Sequence, residues 1–86
     1  MFVLVNHSDD FGLTHCENFD THKEAYEYIA GSMIDYYDFE EFDFMEAYPF
    51  ENDIDYSKDD VWLSAGYNWL SCGTKKYTDR WLIIEV

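Results

Sequence analysis

Basic residues are scarce in this chain. Five Lys and Arg stand against nineteen Asp and Glu in 86 residues, a formal net charge of −14. Direct nucleic-acid binding needs a basic stripe, and an anionic lipid surface repels such a chain, so both are excluded as partners. Long apolar runs are missing too: nothing approaches the ~20 residues of a membrane-spanning helix. Met1 runs straight into Phe2-Val3-Leu4-Val5 with no basic segment before it, which does not match a secretory signal and predicts a cytoplasmic protein. The two cysteines, Cys16 and Cys72, are far apart and form no CxxC pair; a reduced pair is expected rather than a disulfide. With four glycines and one proline there is no linker or low-complexity stretch, and residues 1–86 read as a single domain. No P-loop, dinucleotide fingerprint or nucleophile elbow is present, and Leu63-Ser-Ala-Gly66 is not an elbow. The expectation is a non-enzymatic protein without a cofactor.

Aromatic residues are abundant. Eighteen residues are Phe, Tyr or Trp, which separates the chain from disordered acidic tails, poor in aromatics. A chain this short buries only about 60–65% of its unfolded surface. Eighteen rings are enough to close its core and to leave some Tyr and Phe for a contact surface.

Charge is segregated along the chain. Between Glu24 and Asp60 there are thirteen carboxylates and one cation, Lys58. The first 23 residues carry −3 and the last 26 carry +1. Crowded carboxylates repel each other and weaken the compact state, so the block calls for a use or a reason.

The pattern of elements predicts an α+β fold in the order β-β-α-α-β-β: a small antiparallel sheet of about four strands with one or two acidic helices on one face. Phe2–Val5 is a first strand, and Leu13–Phe19 is its return after a turn-rich segment ending at Gly12. Thr21-His-Lys-Glu24 is a capping box that opens a helix running to about Tyr37. On that helix Ala25, Tyr26, Ile29, Met33, Tyr36 and Tyr37 share one arc, and Glu24, Glu27, Asp35 and Asp38 share the opposite one. No Lys or Arg follows these acids at i+3 or i+4. Asp38-Phe-Glu-Glu41 begins a second helix with Phe39, Phe42, Met45 and Tyr48 at spacings of three, stopped by Pro49. Glu51–Asp60 reads as an acidic loop and Val61–Ala65 as a strand. Asp79–Val86, with its continuous apolar run, reads as a central strand covered on both faces or nearly so.

Several constellations suggest chemistry. Asp53, Asp55, Ser57 and Asp59 occupy positions 1, 3, 5 and 7 of a calcium loop, but Lys58 replaces the required Gly and Ser64 the bidentate Glu; weak cation condensation is the milder alternative. His7, His15, Cys16, His22 and Cys72 have no recognised ligand spacing. With so many acids, no carboxylate pair singles itself out as glycosidase-like. Lys75, Lys76 and Arg80 read either as a phosphate site or as edge protection with partial neutralisation of the acidic half.

The acidic block has two readings. One is a solvated surface on an ordinary interaction module, although solubility needs a net charge of only about 2–8. The other is mimicry. Double-stranded DNA presents one negative charge per ~1.7 Å of axis, and acids three or four apart on a helix stand ~5–6 Å from each other. A partner with a Lys/Arg-lined groove would meet an ordered polyanion.

In Glu24-Ala-Tyr-Glu27, Asp38-Phe-Glu-Glu-Phe-Asp43 and Glu51-Asn-Asp-Ile-Asp55 the chain resembles the small acidic proteins with which phages and mobile elements block bacterial defence: DNA-mimic anti-restriction proteins, uracil-glycosylase inhibitor and several anti-CRISPR proteins. The likeness is one of size and charge. Phe19-Asp-Thr-His-Lys-Glu-Ala25 and Asp79-Arg-Trp-Leu-Ile-Ile-Glu-Val86 also resemble a style of short protein common in Gram-positive bacteria and their phages. The resemblance implies a cytoplasmic inhibitor in the host bacterial cell that occupies the nucleic-acid groove of a CRISPR effector or, next, a restriction enzyme. Glu24, Glu27, Asp35, Asp38, Glu40, Glu41, Asp43 and Glu46 are its expected contacts to Lys and Arg, with Tyr28 adding apolar contact.

Overall fold

The computed structural model describes residues 1–9, 12–37 and 44–86, and only the backbone of residues 13–16, 34–37 and 58. Strands β1 (Phe2–Ser8) and β2 (Gly12–Phe19) form a hairpin, followed by helix α1 (His22–Tyr37) and a 3₁₀ turn (Phe44–Ala47). A meander of β3 (Ile54–Lys58), β4 (Val61–Gly66), β5 (Trp69–Gly73) and β6 (Thr78–Glu85) completes the chain. All six strands join one antiparallel sheet in the order β2-β1-β6-β5-β4-β3. The first strand therefore pairs with the last, Phe2 opposite Glu85 and Ser8 opposite Asp79.

This corrects the expected four strands with one or two acidic helices: the sheet has six strands and the described residues hold one α-helix. Three segments account for the difference. Trp69–Gly73 is a strand in a stretch whose turn residues Gly66, Asn68 and Gly73 hide it, and it pairs with both β4 and β6. Ile54–Lys58 is a strand and not an acidic loop. Ile54 and Tyr56 are half-buried while Asp55 and Ser57 are exposed, the period of two that a strand with one dry face requires. In place of the expected second helix, Phe44–Ala47 makes a single 3₁₀ turn, and Asp38–Asp43 lie outside the described residues. A 3₁₀ turn has three residues per turn, so Met45 and Tyr48 at a spacing of three satisfy it as well as they would a helix. Phe44, one place before Met45, is the ring that is fully buried. Phe50 then holds φ at 57°, a left-handed conformation that costs a bulky side chain about 1 kcal/mol or more. Its ring is 2% exposed, lying 4.8 Å from Tyr26 and 5.0 Å from Phe44, and this burial offsets the strain.

Helix α1 follows its sequence pattern closely. The Glu24 amide donates to Thr21 Oγ1 at 3.1 Å, so Thr21 caps the first turn. His22, Ala25, Tyr26, Ile29, Ala30 and Met33 are buried, and Lys23, Glu24, Glu27 and Tyr28 are exposed. The buried side of the helix rests on β1, β2 and β6. Under it lie Leu4, Leu63, Ala65, Leu70, Cys72, Trp81 and Ile83, the alternate residues of their strands. Tyr26 anchors the two layers: its hydroxyl donates to the carbonyls of Gly66 and, at 3.1 Å, Trp69. Gly66 is needed where it stands, since a Cβ there would meet the Trp69 indole and lie 2.8 Å from Asp53 Oδ1.

The other face of the sheet has no covering element among the described residues. Val3 pairs with Ile84 and Val5 with Leu82, and Leu82 pairs again with Trp69. Leu82 is 51% and Ile84 47% exposed. The expectation that Asp79–Val86 is a central strand covered on both faces or nearly so is thus half right: β6 is central, but one of its faces has no cover among the described residues.

Candidate partner-binding surface

The helix sets the first anionic groups. Glu24 and Glu27 stand one turn apart on the outer side of α1, with Tyr28 beside them at 38% exposure. Tyr28 touches Phe19 and Trp81 with its ring, so it is a partly seated aromatic rather than a free one. Glu46 is exposed on the 3₁₀ turn. Asp35 lies in the last turn of α1, where only the backbone is described. Asp38, Glu40, Glu41 and Asp43 lie outside the described residues. The structure therefore places Glu24, Glu27 and Glu46 on the covered side of the sheet.

Further along, Glu51, Asp53, Asp55, Asp59 and Asp60 are all exposed. Among the described residues, Glu24, Glu27, Glu46, Glu51, Asp53 and Asp55 form no salt bridge. Lys23 is one turn before Glu27, yet no ion pair joins them. Two of the cations are engaged elsewhere. Lys75 reaches Asp60 at 3.5 Å. Arg80 Nη1 donates to Asp9 Oδ1 at 3.1 Å, and Asp9 Oδ2 accepts from the Thr78 amide at 3.0 Å. The Arg80 hydrogen bond foremost, with the Thr78 amide, holds the Asp9 carboxyl below its ordinary value. Arg80 lies on an interior strand, so the edge-protection reading does not apply to it; neutralisation does.

The calcium-loop expectation changes with the fold. Asp55 and Ser57 are strung along strand β3, where alternate residues stand ~6.6 Å apart, and Asp59 sits in the following turn with φ 55°. These groups line a strand edge instead of wrapping a cation. No cluster of three or more His, Cys, Asp or Glu that could hold a metal occurs among the described residues. Nor is any helix long and apolar enough to cross a membrane.

One constellation had no counterpart in the sequence reading. His22 is 5% exposed and its Nδ1 lies 2.9 Å from the Tyr48 hydroxyl. Tyr67 stacks on its ring at 4.0 Å and 10°; Phe2 and Tyr26 close the sides. Its Nε2 is buried without a hydrogen-bond partner among the described residues. Burial raises the Tyr48 hydroxyl above its ordinary value, with Tyr67 and Glu27 adding to the shift. Burial also raises Tyr26 strongly, so both phenols stay protonated as neutral hydrogen-bonding groups. This cluster pins the start of α1 to the β4–β5 turn. The signal for it was the position of His22 one turn before Tyr26, on the arc assigned to the core.

Comparison with protein-family models, with curated proteins and with solved structures yields no match to this chain.

Proposed function

We propose that this protein is a non-enzymatic inhibitor that presents a phosphate-like anionic surface to the basic groove of a nucleic-acid-binding protein of bacterial defence, a CRISPR effector first and a restriction enzyme next. The observation that carries this reading is the set of exposed carboxylates Glu24, Glu27, Glu46 and Glu51, none of which has a salt-bridge partner among the described residues. Their field is unspent and available to steer a cationic partner. Thr21 caps the helix that displays the first two, and Tyr26 ties that helix to the sheet, so the array is pre-ordered and loses little entropy on binding.

The test is capture of basic-groove proteins from bacterial lysate on the immobilised chain. Duplex DNA or heparin should elute them, and raising salt from low to physiological should weaken capture steeply. Glu27→Lys should reduce affinity by about tenfold or more, as expected for a contact charge at the centre of a complementary interface. Glu85→Lys changes net charge equally but lies on the sheet and should do much less. Equal losses for the two reversals would dismiss the proposed surface.

The open sheet face favours a second reading, an interaction module that binds through apolar area. Capture that is indifferent to salt and lost on changing Leu82 would select it.

A further inference from the structure

The open face of the sheet is built like the inside of a protein. Along β6 the chain alternates Trp81 and Ile83, buried, with Leu82 and Ile84, about half exposed. Val3 and Val5 flank them on β1, and Trp69 on β5. The Trp69 indole covers Gly66 on β4, with Asp53 Oδ1 beside it. Such a contiguous apolar patch on a small domain marks an interaction site, and a continuous Trp-Leu-Ile-Ile run belongs to a strand dry on both faces. The short axis of the molecule is 20 Å, room for one sheet and one covering layer at ~10 Å spacing.

Charge says what can cover this face. Among the described side chains its polar groups are Asn18, His7, Ser71, Ser64, Ser57, Thr78 and Arg80, whose cation is answered by Asp9. Its carboxylates, Asp53 and Asp55, stand at the β3 border. Apart from these two carboxylates its described residues carry no net charge, on a molecule of charge −14. A strongly basic partner is drawn to the helix side instead, and an acidic one is repelled. A second copy of this chain, applied face to face, meets a surface equally apolar and equally neutral, and it turns Glu24, Glu27 and Glu46 of both copies outward. The two anionic sides are then separated by roughly 40 Å, twice the short axis, against a screening length of about 8 Å at physiological salt. Self-contact through the helix side brings two polyanions together instead. Six strands at ~4.8 Å and ~18 Å of strand length present roughly 500 Å² per copy. The total of roughly 1,000 Å² reaches the threshold for a specific interface.

We infer that the protein forms a two-fold dimer by packing the open faces of two sheets against each other, with Val3, Val5, Trp69, Leu82 and Ile84 at its centre. The inference rests on the sheet and not on the inhibitor reading, and it would give that reading two anionic surfaces per particle.

Sedimentation equilibrium at physiological salt tests it. The mass should rise from 10.3 kDa to twice that value between about 1 µM and about 200 µM, the range expected for an interface of threshold size. Leu82→Lys should weaken self-association about 30-fold or more, the effect of breaking a central contact. Leu82→Lys lowers the net negative charge of each copy, so its effect does not arise from overall repulsion between polyanions, and the uncharged Leu82→Ser should weaken the dimer in the same direction; melting temperatures at low concentration check that both variants fold. Glu27→Lys, on the other side, should leave the dimer intact. Added salt should tighten the dimer while it loosens a groove-bound complex, so the two readings fail separately. A mass that stays at 10.3 kDa throughout, or a dimer unaffected by both Leu82→Lys and Ile84→Lys, overturns the inference.

Discussion

On β6, Trp81 and Ile83 are buried beneath the helix, while Leu82 and Ile84, one residue along, stand 51% and 47% exposed. The four side chains are of similar chemistry, so hydrophobicity does not distinguish them. The surroundings do. The covered face is closed by Tyr26, Phe44 and Phe50, rings held together by a hydroxyl, a tight turn and mutual contact. Among the described residues, the open face has only its own sheet. Polyanionic groups decorate the outside of the covered layer, and the open face is close to neutral. A chain with this much charge keeps its apolar and anionic surfaces apart, and each is then free to take a different partner.

The difference can be broken most severely from the covered side. Phe50→Ala should cost about 3–5 kcal/mol, the range for removing a buried Phe. Urea unfolding at low protein concentration measures it. Leu82→Ala under the same conditions should change stability far less, since surface positions usually stay within about 0.5 kcal/mol. Comparable losses would mean that the open face is not open.

A smaller effect sharpens the role of the hydroxyl between the layers. Tyr26→Phe leaves the Gly66 and Trp69 carbonyls without their donor and should cost about 1–3 kcal/mol. The same phenol makes stability depend on alkali. Its pKa is raised by burial above the ordinary 10.0, so its contribution is complete below pH 10 and is lost as pH rises toward the folded value. Stability should fall above about pH 10 by up to ~1.4 kcal/mol per pH unit per such group, and Tyr26→Phe should flatten that decline. Thermal melts at graded pH decide this.

The smallest effect lies where charge meets the open face. The Asp9 carboxyl is held below its ordinary 3.8 by Arg80 and the Thr78 amide. Its stabilisation is therefore present above pH 4 and disappears as pH falls through the lowered value. Asp9→Asn should melt earlier than the parent at pH 6 and match it in strong acid, read from paired melting curves.

Much of this was legible in the residues. Thr21 and Glu24 marked the helix start, and the arc of Ala25, Tyr26, Ile29 and Met33 marked its buried side, because caps and helical periodicity are local. Strand β3 was hidden by its charges: Asp55 and Ser57 alternate with Ile54 and Tyr56, but the acids on both sides of them look like loop. The turn at Phe44 was hidden because a spacing of three suits 3₁₀ and α alike. The open face was invisible for a different reason. Trp81-Leu-Ile-Ile84 states that both sides of the strand prefer to be dry, but not that the described residues supply only one cover. Of the expected contact residues, Glu24, Glu27 and Glu46 are seen exposed, and the conformation that Asp38–Asp43 would need lies in a segment whose pattern did not separate helix from turn.

Pairing of Phe2 with Glu85 also governs how the molecule can be made. The β1–β2 hairpin is made well before β6, the strand that pairs with its other edge. Contacts of such sequence separation belong to slow folders, on the order of milliseconds to seconds. Until β6 arrives, β1 and the β3–β5 meander are both unfinished sheet edges, and the dense negative charge of the intervening segment helps keep nascent chains from adhering to one another.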